Sequence, residues 1–172
     1  AGSDVQAGLF MFDRSGAKRN SAVPLEDFDD EQRDKMYNAL INGHRYQTTD
    51  YGVQQAYQMV AQSGTDRATK IIIICDEPIV YIHNPTQQRL DQDVEWIKSL
   101  DISVYYMGKG ETDEGMYYVA SQTGGFVVSD FTADNVLENL RRIAKNDGDM
   151  LRADTSSAKV LTGVMLFLEG LV

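Results

Sequence analysis

Lys70-Ile71-Ile72-Ile73-Ile74-Cys75-Asp76-Glu77-Pro78 leaves few folds open. Its consecutive isoleucines have no polar face. A short β-branched segment, apolar on both sides, is the pattern of a strand buried inside a parallel sheet. The run stops at Asp76. Open parallel sheets bind ligands beyond the carboxyl ends of their strands, so Asp76 is the first carboxylate to consider for chemistry. The alternative is that Asp76 caps a turn and Pro78 ends the strand.

The rest of the chain alternates around that strand. Val5 to Phe12 reads as a strand ending in the turn cluster Asp13-Arg14-Ser15-Gly16. Ala22-Val23-Pro24-Leu25 reads as an edge strand, because Pro24 lacks a ladder donor. Asp29 and Asp30 open a helix over roughly Glu31 to Asn42, with Met36, Leu40 and Ile41 as its apolar stripe. His44 to Gly52 is a polar loop leading into a helix with Val53, Ala56, Tyr57 and Val60 on one face, closed by Gly64. After the isoleucine strand, Asn84 and Pro85 start a third helix carrying Leu90, Val94, Ile97 and Leu100. Ile102 to Met107 is a strand. Thr112 caps a short helix with Met116, Val119 and Ala120, and Gly124-Gly125 turns into Phe126-Val127-Val128. Thr132 or Asp134 caps a last helix with Val136, Leu137, Leu140 and Ile143 facing inward, and Asn146 to Asp149 ends the regular core. Strands alternating with amphipathic helices specify an α/β, Rossmann-like, doubly wound and mostly parallel sheet.

Composition narrows the functions. At 172 residues with 42% apolar side chains, the chain has the material for one packed domain. A net charge of −10 argues against electrostatic nucleic-acid binding. Cys75 is the lone cysteine, so no internal disulfide forms, and its place in the apolar strand marks it as a small buried hydrophobe. No signal-peptide pattern is visible. Ala1 in place of methionine is read as the mark of a chain processed or excised from something longer. The apolar run Val160 to Val172 contains Glu169 and falls short of the ~20 residues that span a bilayer. No membrane contact is indicated beyond that segment, for which a truncated membrane anchor is one alternative.

The motifs that carry common chemistries are absent. Gly108-Lys109-Gly110 lacks the remaining elements of a phosphate-binding loop. No Gly-x-Ser-x-Gly elbow occurs. His44 and His83 stand apart from any metal-ligand spacing and read as solvated loop residues. Oxygen chemistry remains. Thr48, Thr49 and Asp50 precede a helix, and Asp76 ends a strand. If the two loops meet at one rim, their oxygens suit a hard divalent cation, which takes one or two protein carboxylates and keeps several waters. The simpler role for a threonine there is to cap the helix that follows.

Taken together, these segments resemble a von Willebrand factor A domain, also called an integrin inserted-type domain. Val5 to Phe12 is similar to that family's second strand. Thr49-Asp50-Tyr51-Gly52 is similar to its threonine loop. Ile71 to Cys75-Asp76-Glu77 is similar to the strand that ends in its Thr-Asp-Gly. Ile102 to Gly110, Tyr118-Val119-Ala120-Ser121 and Thr123-Gly124-Gly125-Phe126 resemble its fifth strand, a following helix and its last strand. The resemblance covers roughly residues 4 to 146. It implies a metal-ion-dependent adhesion site with Thr49 and Asp76 as ligands of Mg2+, or of Mn2+ or Ca2+. Tyr46, Asp50, Tyr51 and Glu77 would line the ligand rim.

The family's first strand and its Asp-x-Ser-x-Ser loop have no counterpart ahead of Val5. Asp13-Arg14-Ser15-Gly16 follows the wrong strand and lacks the second serine. Losing a central strand would bare the apolar edges of both neighbours. Gly163 to Gly170 reads as a buried strand ending in Glu169 and is one candidate for that slot, by circular permutation or by exchange with another copy. A C-terminal helix packed on the sheet, or the start of a neighbouring segment in a longer protein, is the expectation set against it. The expected organisation is therefore a von Willebrand factor A-like domain over 1–150 and an apolar segment over 151–172, helix or added strand. The implied function is a non-enzymatic module that binds a protein or extracellular-matrix ligand at the cell surface, in a secreted protein or in the periplasm. The alternatives are a metal-free assembly module and a receiver-like or flavodoxin-like enzyme domain.

Overall fold

A computed structural model describes residues 5–10, 12–13, 22–42, 46–47, 52–75, 81–82, 84–108, 113–129, 132, 134–150 and 164–169. Along the chain run β1 (Gln6–Phe10), β2 (Phe12–Asp13), β3 (Ala22–Asp27), α1 (Asp30–Asn42), β4 (Tyr46–Gln47), α2 (Gly52–Ser63) and β5 (Thr69–Cys75). They are followed by α3 (Gln87–Ser99), β6 (Ile102–Gly108), α4 (Glu114–Gln122), β7 (Val127–Val128), α5 (Val136–Met150) and β8 (Val164–Glu169). The main sheet has the order β3-β1-β8-β5-β6-β7, and β2 and β4 form a separate parallel pair. Among the described strands only β3 runs antiparallel to its neighbour.

The isoleucine run becomes β5, and all of its residues are buried. Successive strand side chains point to opposite faces, and the two cores follow that alternation. Ile71, Ile73 and Cys75 join Val104 and Tyr106 of β6 under α2, α3 and α4. Ile72 and Ile74 join Tyr105 and Met107 under α5. Leu9 and Val23 pack beneath Met36, Ala39 and Leu40 of α1. Register places Leu9 and Ile72 against the same residue of β8, so α1 and α5 share one face. Each fully buried isoleucine contributes roughly 1.5–3 kcal/mol of transfer free energy.

Of the two forms expected for the C-terminal segment, helix or added strand, Val164–Glu169 take the second as β8, inserted between β1 and β5. It pairs in parallel from Val164 to Leu166 with Ala7 to Leu9, and from Val164 to Glu169 with Lys70 to Cys75. The physical reason is that two apolar strands with unpaired inner edges are more costly than one long connection.

Several local expectations are also corrected. Beyond β1, Phe12–Asp13 pairs with Tyr46–Gln47, inside what reads as a polar loop. Asn84 does not cap α3, because its φ of 50° is left-handed, whereas an N-cap needs extended backbone. Thr86 has that backbone, and its hydroxyl accepts from Arg89 N at 3.2 Å. Asp113, rather than Thr112, caps α4 by accepting from Met116 N at 3.0 Å. Thr112 lies outside the described residues. Ile41 and Leu137 are exposed, at 60% and 55%. At about 100° per residue they sit well off the stripes through Met36 and Leu40 and through Val136, Leu140 and Ile143. Helix α5 runs to Met150, through the Asn146 to Asp149 stretch that reads as the end of the regular core.

Two glycines meet backbone demands. Gly64 ends α2 with φ +65°. At Gly125 a Cβ would overlap the Val104 carbonyl, which is how close the turn after α4 comes to β6. Two buried polar groups have no counterpart in the sequence reading. Lys70 donates to the Ile143 carbonyl and lies 5.6 Å from the Tyr105 ring centroid. Gln32 Nε2 donates to the carbonyls of Ala7 and Pro24, each at 2.7 Å, where the β1–β3 register shifts. Among the described residues no helix is long and apolar enough to cross a membrane.

Candidate functional site

Strands β1, β8, β5 and β6 run parallel, so their carboxyl ends form one rim. At that rim Cys75 is in register with Glu169 on one side and Gly108 on the other. Neighbouring strands lie about 4.8 Å apart. Glu169 therefore stands beside the residue that precedes Asp76. Strand β2 follows β1 after one residue and also lies against β8. Its partner β4 leads directly into Thr48 to Tyr51, and α2 begins at Gly52. Both loops singled out from the sequence thus attach to described elements near the same end of the sheet.

Tyr46 is in β4, where its backbone pairs with Phe12. Thr49, Asp50, Tyr51, Asp76 and Glu77 lie outside the described residues, as do Thr48, His44 and His83. Among the described residues no group of three or more His, Cys, Asp or Glu side chains converges as a metal site would.

What the structure adds is the anchor on the far side of the Asp76 segment. Tyr81 and Ile82 are buried. Tyr81 N donates to Asp113 Oδ2 at 3.2 Å, the carboxylate that also caps α4. Tyr81 Oη donates to Asp93 Oδ2 at 3.4 Å. Asp93 is itself buried on α3 and ion-paired with Arg89 at 3.2 Å. The chain after residues 76–80 thus re-enters the described structure at a fixed point shared by α3 and α4. An Asp in helix α3 at i+4 from Arg89 reads from sequence as a surface pair, so nothing in the spacing marked Asp93 as buried. Asp113 three residues before Met116 was the available signal for the cap.

Tyr57 lies next to this anchor and packs edge-to-face on Trp96, with ring centroids 5.9 Å apart. Its hydroxyl is buried and makes no hydrogen bond of normal geometry among the described residues. Burial raises its phenol well above the usual range, and the neighbouring Tyr81 and Asp93 add to the rise. Burial likewise raises Tyr81, against a smaller opposing effect of the Tyr57 hydroxyl. Both phenols stay protonated across the physiological range and serve as neutral hydrogen-bonding and packing groups.

A sheet with α1 and α5 on one face and α2 to α4 on the other has a counterpart among solved structures. The chain is similar to a von Willebrand factor type A protein from Catenulispora acidiphila, with a TM-score of 0.54 and 18% identity over 86% of this chain. This chain has the von Willebrand factor A fold. It spans 33% of that protein's length, and the likeness concerns the fold alone. No protein-family model matches the sequence, and no curated protein matches it. Strand β8 occupies the central slot of the sheet, between β1 and β5.

Proposed function

We propose that the carboxyl rim of β8 and β5 is a ligand-binding edge, and that this chain is a non-enzymatic module for a protein or extracellular-matrix partner. The observation that carries the reading is the register of Glu169 with Cys75. A strand in the central slot ends in a carboxylate, beside the residue that precedes Asp76. Thr49 and Asp76 supply a hydroxyl and a carboxylate from the two flanking loops, and Glu169 adds a second carboxylate. That donor set is all oxygen, which fits Mg2+, Mn2+ or Ca2+ rather than a soft metal. When bound, the cation would offer an open coordination position to an acidic side chain of the partner.

The protein's own groups do the positioning. Tyr81 fixes the exit of the Asp76 segment to Asp93 and Asp113. Tyr46, Asp50, Tyr51 and Glu77 would set which acidic partner fits at the rim. An exposure of the partner-binding edge at the cell surface, in a secreted protein or in the periplasm is part of the proposal.

Isothermal titration of Mg2+ into the wild type, Asp76→Ala and Glu169→Gln tests the cation. The expected result is binding heat in the wild type that is lost in Asp76→Ala and weakened in Glu169→Gln. Equal heats from all three remove the metal. A second reading, a metal-free assembly module, is favoured by the sequence, in which no Asp-x-Ser-x-Ser loop occurs. Partner binding that persists in EDTA selects it.

A further inference from the structure

We propose that Asp113 is a positioning residue of the carboxyl rim: one oxygen of its carboxylate ties together the chain segments that leave β5 and β6, so that the two segments take up their positions jointly. This rests on the reading of the rim as the ligand-binding edge. It adds the group through which the connection after β6 bears on the Asp76 side of that edge. The two segments start side by side, because Cys75 and Gly108 are register partners at the ends of their strands. They also finish side by side. Asp113 Oδ2 accepts from Tyr81 N at 3.2 Å. Residues 76–80 and 109–112 are thus bracketed at both ends by pairs of neighbouring residues.

Capping alone does not call for this arrangement. Met116 N, 3.0 Å from the same oxygen, makes the bond that an N-cap provides, and a serine or threonine hydroxyl supplies it as well. The second donor is 32 residues away in sequence. Serving both takes an acceptor with spare lone pairs, which a carboxylate oxygen has. The first turn of α4 leaves room for the bridge. At the buried Gly115 a Cβ would stand 2.9 Å from Asp113 Oδ2 and 3.5 Å from Tyr81 Cβ. A larger residue there would press on the carboxylate where it joins the two segments. The Tyr81 side of the tie is firm. Tyr81 is buried, its hydroxyl donates to Asp93, and Asp93 is paired with Arg89. A ligand that shifts either segment must carry the other with it or break this bond.

The test uses the full chain, first in EDTA so that no cation takes part, and reads amide hydrogen exchange. Gly110→Ala and Gly110→Pro perturb the segment after β6, and exchange is read across the tie at residues 79–82. Three backgrounds are compared: the wild type, Asp113→Asn, which keeps an acceptor of the same length, and Asp113→Ser, whose shorter hydroxyl still caps α4 but does not reach Tyr81 N. The expected result is a change of about fivefold or more in the wild type and in Asp113→Asn, and little change in Asp113→Ser. Exchange along α4 should match in all three, because each retains the cap. Equal changes in all three overturn the proposal, and so does no change in any. Mg2+ titration without EDTA then separates this inference from the cation itself. Asp113→Ser should weaken Mg2+ binding about tenfold or more, and Asp113→Asn should restore it. Equal affinities in the wild type and Asp113→Ser overturn the positioning role. A wild type that gives no Mg2+ heat overturns the cation, and the exchange experiment still decides the tie.

Discussion

The two sides of β8 are built differently. On one side β5, β6 and β7 alternate with α3 and α4, each strand joined to the next by a crossover. Their contacts are close in sequence, and the isoleucine run supplies both cores. On the other side β1 and β3 form an antiparallel pair under α1, with a smaller core of Leu9 and Val23. No backbone pairing joins β1 to β5 directly. That side is attached through β8, through Phe10 in the α2–α4 core and through the contact of α2 with β3. The difference teaches that a doubly wound sheet has a self-sufficient half and a dependent one, and that the dependent half rests on the strand farthest from it in sequence.

The sharpest way to break this comparison is Leu166→Pro. Proline removes a donor from a strand paired on both sides and leaves a buried carbonyl unsatisfied. The expected loss is roughly 2–4 kcal/mol, read by urea unfolding. Hydrogen exchange should show protection lost first at Ala7 to Leu9, with Ile71 to Ile74 protected longer. Simultaneous loss at both places would make the two halves one cooperative unit and erase the distinction.

Gln32→Leu probes the dependent half alone. The side chain is nearly fully buried and bridges the carbonyls of Ala7 and Pro24 across the irregular β1–β3 register. Removing it strands both acceptors, at an expected cost of about 1–3 kcal/mol. The self-sufficient half should keep its exchange protection. An unchanged urea midpoint would mean that the irregular pairing needs no such tie.

Legibility in the sequence follows the same division. The β5–β6–β7 half could be read because its signals are local: an apolar run, helical spacing of Leu90, Val94 and Ile97, and glycines at turns. The dependent half could not, because its completion depends on a pairing between residues near 8 and near 165. Propensity and period describe a segment, not its neighbour in space. Residues 163–170 read as a strand by pattern, yet helix and strand stay ambiguous for so short an apolar run. The candidate site is legible as residue types alone, Thr49 and Asp76, both of which lie outside the described residues. Its anchor was not, because the burial of Asp93 and Tyr81 emerges only when α3, α4 and the chain after Asp76 meet.

That anchor makes a pH prediction confined to the self-sufficient half. Burial raises Tyr57 and Tyr81 in the folded chain. Their stabilising effect is fully present below the unfolded value near 10 and is lost as pH rises above it, because the unfolded chain then releases protons that the folded one keeps. Stability should therefore fall above about pH 10, with tyrosinate absorbance appearing together with unfolding. Tyr57→Phe should be nearly neutral at pH 7, since its hydroxyl makes no well-formed bond, and should shift the alkaline transition upward. Tyrosinate that forms while the circular dichroism stays native would mean that these phenols titrate in place.

The smallest effects concern the two side chains that periodicity placed inside. Ile41 on α1 and Leu137 on α5 are large and apolar, and a stripe drawn by eye includes both. Yet α1 buries Met36, Ala39 and Leu40, and α5 buries Val136, Leu140 and Ile143, at least in part. A helix over a sheet covers a band, and residues displaced by about 100° or more leave it. Ile41→Ser and Leu137→Ser should each change stability by no more than about 0.5 kcal/mol, one in each half. A loss above about 1 kcal/mol at Ile41 alone would show that α1 is rolled toward solvent less than its burial pattern implies. The dependent half would then bury more apolar surface of its own and lean less on β8.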